Sequence, residues 1–272
     1  MFGRRKIATI VAEFLGTGIL TLLVLSVQRS TIGVPFFVAI AAGLTLTVLY
    51  FATGNLSGGQ FNPALTLALW TARKVTTARA AVFIVAQMLG AWGAYGLYTY
   101  YAKNSLMPIG GHFTLRVLIA EGVGTAIFSF GYAAVMYQGF STAIRASVGG
   151  ISYIVGVVAA SAAAIGIINP ALAFGVRAWV WTTFGPSYLF GPIIGAIVGV
   201  NLYKYVFAGA DDSEPALVPV AAATTVRTTS TGAKVQTTTV VARKPAKAVA
   251  SKAVARKTTA KKASAKRART TK

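Results

Sequence analysis

The chain contains no cysteine, one histidine (His112) and five acidic residues among 272. Without cysteine there are no disulfides and no thiolate sites, and so few titratable groups exclude most hydrolytic, redox or metal chemistry. Neither an enzyme nor a cofactor is expected. Negative charge is scarce, while Lys and Arg number 26, for a formal net charge of +21. Spread evenly, that excess would suggest a nucleic-acid binder. It is instead concentrated: fourteen of the 26 basic residues lie beyond Asp212. What remains is apolar, with 55% hydrophobic residues overall and a mean hydropathy of +0.66, well above an ordinary soluble domain. The chain reads as an apolar body over 1–209 and a basic tail over 210–272.

Six apolar stretches fall at about 7–27, 34–53, 79–101, 115–137, 147–167 and 187–207. Each is near the ~20 residues needed to cross a hydrocarbon core. The first follows Arg4, Arg5 and Lys6 but is longer than a signal-peptide core, so it is expected to be a retained helix. With the N-terminus inside, the inner side of the body holds eight Lys and Arg residues against four outside. That bias predicts a multi-pass protein of the cell membrane with both termini cytoplasmic.

The body also repeats itself. "AEFLGTGIL" at 12–20 returns as "AEGVGTAIF" at 120–128, and "NPAL" at 62–65 returns at 169–172. The repeats cover about 7–101 and 115–207. Each holds three spans, an odd number, so the second must enter the bilayer inverted relative to the first. Asn is a preferred N-cap and Pro is favoured at the first helical position. Asn62, Pro63 and Ala64, and again Asn169, Pro170 and Ala171, therefore predict helix starts. At ~1.5 Å per residue, the nine or so residues after Asn62 reach only about halfway across. Two half-helices from opposite faces then bring two N-termini together at the midplane, each with roughly +0.5 elementary charge. "TGNLSGGQF" and "AAAIGI" would line a water-filled path with their carbonyls. Such a centre repels cations, while the Asn amides donate to a passing solute.

These segments, with "GLTLTVLYFATGNLSGGQFNPALT", "INPALAFG" and "FGPIIGAIVG", resemble the aquaporin, or major intrinsic protein, family over roughly residues 5–207. The resemblance implies an all-α membrane protein of six transmembrane helices and two re-entrant half-helices. It also implies a homotetramer with a pore in each protomer, passing water or small neutral solutes passively. Glu13 and Glu121, ionisable groups inside apolar spans, would brace the two re-entrant loops. The family usually carries Arg after the second Asn-Pro-Ala; here Leu172 stands there. The other outer-constriction positions fall on Ala42, Val157 and Gly166, which together suggest a wide, apolar ring admitting solutes such as glycerol, urea or gases. Arg177 and Leu189 resemble the glycerol branch, Tyr188 the water branch, and Ala173 is not the Asp of glycerol channels.

Gly16, Gly18, Gly122 and Gly124 are expected to allow close helix packing, and Trp70, Trp179 and Trp181 to sit near loop ends. The Lys-, Ala- and Thr-rich tail predicts disorder. Its charges suit anionic lipid better than nucleic acid, since no aromatic residues accompany them. The alternative to a channel is a non-conducting membrane scaffold that tethers nucleic acid or partners through that tail.

Overall fold

The computed structural model describes residues 4–29, 35–104, 106, 112–178, 180, 184–208, 223–228 and 234–239. All regular secondary structure in the described residues of the body is helical. Its elements are α1 (Arg4–Arg29), α2 (Pro35–Ser57), the half-helix α3 (Pro63–Thr71), α4 (Thr77–Ala102), α5 (Leu115–Tyr137), α6 (Thr142–Ala160) and the half-helix α7 (Pro170–Gly175). A π-helical segment (Phe184–Phe190), α8 (Gly191–Leu202) and a second π-helical segment (Tyr203–Phe207) complete it. Six of these stretches are long and apolar enough to span, the last running continuously over Phe184–Phe207. Polar side chains start α4, α5 and α6: Thr76, Thr114 and Ser141 accept from Arg79, Val117 and Ile144 N–H. Large apolar side chains such as Val48, Val85 and Leu44 face outward, forming the surface a bilayer would cover.

Packing follows the repeat. α1 packs against α4 and α5 against α8, while α2 meets α6. The half-helices cross over: α3 packs chiefly on α8 and α7 chiefly on α4. Each repeat thus supports the re-entrant element of the other. Glycine makes the close approaches possible. A Cβ on Gly90 would run into the carbonyl of Phe14, and one on Gly195 into that of Gly122. Gly18, Gly122 and Gly124 also face backbone of a neighbouring helix, whereas Gly16 makes room for the Phe61 ring of the first re-entrant loop.

Three expectations need correction. The fifth span does not run to 167, because α6 ends at Ala160 and the chain continues as turn and extended backbone. Of the residues after it only Gly166 and Ile167 are buried before Ile168, while Ala162 and Ile165 are exposed, so the apolar composition there reports neither helix nor uniform burial. α7 is three residues shorter than α3, so from its N-cap the second half-helix runs ~4.5 Å less far at the α-helical rise. The sixth span is not uniformly α-helical; Pro186 and Pro192 each lack an N–H, and the first turns widen to π geometry around them.

A separate unit covers Ala216–Lys272. Its described residues form an antiparallel pair, β1 (Ala223–Thr228) with β2 (Lys234–Thr239), Ala223 lying opposite Thr239 and Thr228 opposite Lys234. This differs from the expectation of disorder over 210–272, for the physical reason that both segments are rich in β-branched Thr and Val. The rest of that tail lies outside the described residues, as do Trp179 and Trp181. Trp70, at the end of α3, donates to the Thr77 hydroxyl at 3.0 Å.

Candidate pore and its central asparagines

Phe61 and Ile168, the residues before the two asparagines, both have a φ of 46°. This left-handed backbone turns each chain sharply into its half-helix. Asn62 then caps α3, its Oδ1 accepting from Ala64 N–H at 2.9 Å. Asn169 caps α7, accepting from Ala171 at 3.0 Å and Leu172 at 3.3 Å. Pro63 and Pro170 occupy the first helical positions, where a missing N–H goes unnoticed. Ala64 and Ala171 are wholly buried.

The two caps meet. Asn62 Nδ2 donates to the carbonyl of Ile168 at 3.0 Å, and Asn169 Nδ2 donates to the carbonyl of Phe61 at 2.9 Å. Each asparagine thus uses one amide hydrogen on the opposite loop and keeps one for another acceptor. The sequence expectation, in which the amides donate to a passing solute, applies to that second hydrogen alone.

Two buried carboxylates hold the loops. Glu13 accepts from Gln60 N–H at 3.0 Å and Phe61 N–H at 2.7 Å, and from Gln87 Nε2 at 2.8 Å. Gln87 also donates to Thr66 Oγ1 at 3.0 Å, and that hydroxyl donates to the Asn62 carbonyl at 3.0 Å. Glu121 accepts three backbone N–H groups, from Gly166 at 2.9 Å, Ile167 at 3.0 Å and Ile168 at 2.7 Å. Buried backbone donors without partners are costly, so these contacts fix extended chain at a depth where neither helix nor water pairs it. Gln87 and Thr66 were not singled out in the sequence; the available signal was an amide and a hydroxyl inside apolar runs.

Ala42, Val157, Gly166 and Leu172 line a single cavity, together with Val24, Val38, Tyr153 and neighbours. The structure brings the four together but does not make them wide. The cavity measures about 20 Å³, and roughly 10–15 Å³ holds one water. Small side chains at Ala42 and Gly166 are offset by Val24, Val38 and Tyr153, which occupy the space. Arg177 does not line this cavity; its guanidinium donates to the Leu106 carbonyl at 2.9 Å. Tyr188 and Ala173 are buried.

On the other side of the asparagines lies a second cavity of about 80 Å³, lined by Tyr50, Gly58, Tyr132, Arg145 and neighbours. The structure thus holds two separate cavities and, in its buried interior, two helix N-termini joined through their asparagine caps. The sequence profile of the Major intrinsic protein family matches residues 4–203. The chain belongs to that family. It is 31% identical over 197 residues to Aquaporin AqpM of Methanothermobacter thermautotrophicus, covering 64% of this chain and 75% of that protein. It is 34% identical over 195 residues to Probable aquaporin TIP3-2 of Oryza sativa subsp. japonica, covering 66% and 71%. The X-ray structure of the aquaglyceroporin from Plasmodium falciparum has the same fold, with a TM-score of 0.63 at 19% identity, covering 74% of this chain and 96% of that one. As a major intrinsic protein, the chain is a multi-pass membrane protein and a passive channel for water or small solutes, not an enzyme.

Proposed function

We propose that this channel passes chiefly water, with small neutral solutes such as glycerol or urea passing more slowly. The observation that carries this reading is the reciprocal hydrogen bonding of Asn62 and Asn169 across the centre, which holds two helix N-termini face to face. That arrangement supports exclusion of cations and orientation of a solute by the remaining amide hydrogens. Glu13 and Glu121 act as braces for the loops. Ala42, Val157, Gly166 and Leu172 form the outer constriction, and a cavity of about 20 Å³ favours single waters over glycerol. The positive-inside bias supports cytoplasmic termini in a cell membrane, and family likeness supports a homotetramer. The basic tail then faces the inner leaflet, where anionic lipid is its nearer partner and nucleic acid the lesser one.

Stopped-flow light scattering on proteoliposomes tests this. Water flux well above empty liposomes, with slower glycerol uptake, is expected. Glycerol uptake as fast as water would overturn the narrow constriction. The scaffold alternative draws support from the burial of both asparagines, with Asn62 2% and Asn169 0% exposed. Deleting 210–272 separates the two: a channel keeps its flux without the tail, whereas a tether has no flux to lose.

A further inference from the structure

Neither of the two cavities is lined by Asn62 or Asn169. Between them stand aromatic rings. On α2 the pore-facing positions recur every four residues: Ala42 lines the smaller cavity, Tyr50 and Gly54 line the larger, and Leu46 is buried between. On α5, Phe128 lies one turn before Tyr132, and on α6 Tyr153 lies one turn before Val157. The ring centroids run from Tyr50 to Tyr132 at 5.8 Å, Tyr132 to Phe128 at 6.3 Å, and Phe128 to Tyr153 at 5.1 Å. Tyr50 and Tyr132 border the larger cavity and Tyr153 borders the smaller. All four rings are buried.

We infer that this column of Tyr50, Tyr132, Phe128 and Tyr153 is the permeability filter of the pore, and that Tyr50 is the ring that moves. The inference rests on the channel reading and deepens it. The hydroxyls distinguish the rings. Tyr132 donates to the Gly58 carbonyl and Tyr153 to the Ile167 carbonyl, so both are pinned to the re-entrant loops. Phe128 has no polar tether, but it is packed between two pinned rings. The Tyr50 hydroxyl is buried without a hydrogen-bond partner among the described residues. Its ring sits in a slot between Gly59 of the first loop and Gly149 of α6, where a methyl group on either glycine would collide with it. A swing of Tyr50 into the adjoining cavity of about 80 Å³ breaks no hydrogen bond and opens the slot. Flux then scales with the fraction of time the ring is out. With the ring in place, the apolar faces of the column disfavour a continuous file of water, which closes the path by dewetting.

The test uses the full chain in proteoliposomes, reading water and glycerol permeability by stopped flow, for wild type, Tyr50→Val, Tyr50→Phe and Tyr153→Val. Tyr50→Val is expected to raise water permeability several-fold, and Tyr50→Phe, which keeps the ring, to raise it less. Tyr153→Val is expected to raise glycerol more than water. Should Tyr50→Val fail to fold, Tyr50→Cys in this cysteine-free chain gives a second reading: raised flux that a bulky thiol reagent lowers again. Silent wild type with conducting Tyr50 variants supports the filter. A conducting wild type whose flux is unchanged in folded Tyr50 and Tyr153 variants overturns the filter and leaves the channel standing. No flux in the wild type or any variant overturns the channel reading itself.

Discussion

Glu13 and Glu121 hold corresponding loops, yet they hold them differently. Glu13 accepts two backbone N–H groups and a third hydrogen bond from the Gln87 side chain, whereas Glu121 accepts three backbone N–H groups. In the second repeat, the match of Gly90 with Gly195 puts Pro192 where Gln87 would be, and Pro has no amide side chain to offer. The backbone turns nonetheless agree. Gly59 and Gly166 have φ of 69° and 75°, Phe61 and Ile168 both 46°, and Arg73 and Arg177, just beyond the half-helices, 61° and 63°. Repeat symmetry therefore resides in the backbone, and side chains satisfy it by whatever means each half has. The first half has an adjustable partner in Gln87; the second relies on one carboxylate.

The same contrast predicts a large effect at the two leucines that follow Asn-Pro-Ala. Leu65 is fully enclosed in the core, while Leu172 borders the smaller cavity. Leu65→Arg buries an unpaired charge, a loss of several kcal/mol, and is expected to abolish the folded protein in detergent. Leu172→Arg borders a cavity of about 20 Å³ with Gln28 beside it, so its charged end has a polar neighbour that Leu65→Arg lacks, and it is expected to fold and to lower glycerol uptake. Equal yields of folded protein, judged by size-exclusion chromatography, would erase the distinction between the halves.

Removing the braces comes next. Glu121→Ala strands three buried backbone donors at about 1–3 kcal/mol each, and Glu13→Ala strands two while Gln87 remains to turn its carbonyl toward them. Both should lower the melting temperature of the purified protein, Glu121→Ala further. A larger loss from Glu13→Ala would mean that Gln87 depends on the carboxylate rather than substituting for it. A smaller difference is expected between Gly166→Ala and Gly59→Ala. Both force left-handed backbone on alanine, at roughly 1–2 kcal/mol. At Gly166 the new Cβ would also lie 2.7 Å from the Val157 carbonyl, which is fixed by the end of α6; at Gly59 it meets the Tyr50 ring, which can move. Gly166→Ala should therefore melt lower, and Gly59→Ala should instead change water flux.

Much of this architecture is legible in the sequence because its signals are local. The six spans are long apolar runs, Asn-Pro fixes each half-helix start, and three spans in each repeat give the inversion. The end of α6 is not legible because "AAAIGI" is apolar without being helical, and an apolar turn and extended chain looks the same in hydropathy as a helix. Val24, Val38 and Tyr153 border the same small cavity as Ala42, Val157, Gly166 and Leu172 from positions that no motif marks. Likewise Tyr50, Phe128, Tyr132 and Tyr153 come from three different helices, and the spacings of Tyr50 from Ala42 by eight, Tyr153 from Val157 by four and Phe128 from Tyr132 by four become informative once the helices are placed side by side.

The smallest expected effect concerns the caps. Asn169 accepts two N–H groups at the start of α7 and Asn62 accepts one at the start of α3, yet α7 is the shorter helix. Replacing either by Ala removes a cap worth ~1 kcal/mol and the hydrogen bond to the opposite loop. The Asn62 carbonyl still receives Thr66 Oγ1, which ties the first turn of α3 to Gln87 and hence to Glu13. The second half has no such chain of side chains, so Asn169→Ala should fray α7 more than Asn62→Ala frays α3. Hydrogen exchange at residues 171–175 against 64–68 reads this directly. Equal protection in the two variants would show that crossed packing, α3 on α8 and α7 on α4, holds the half-helices regardless of their caps.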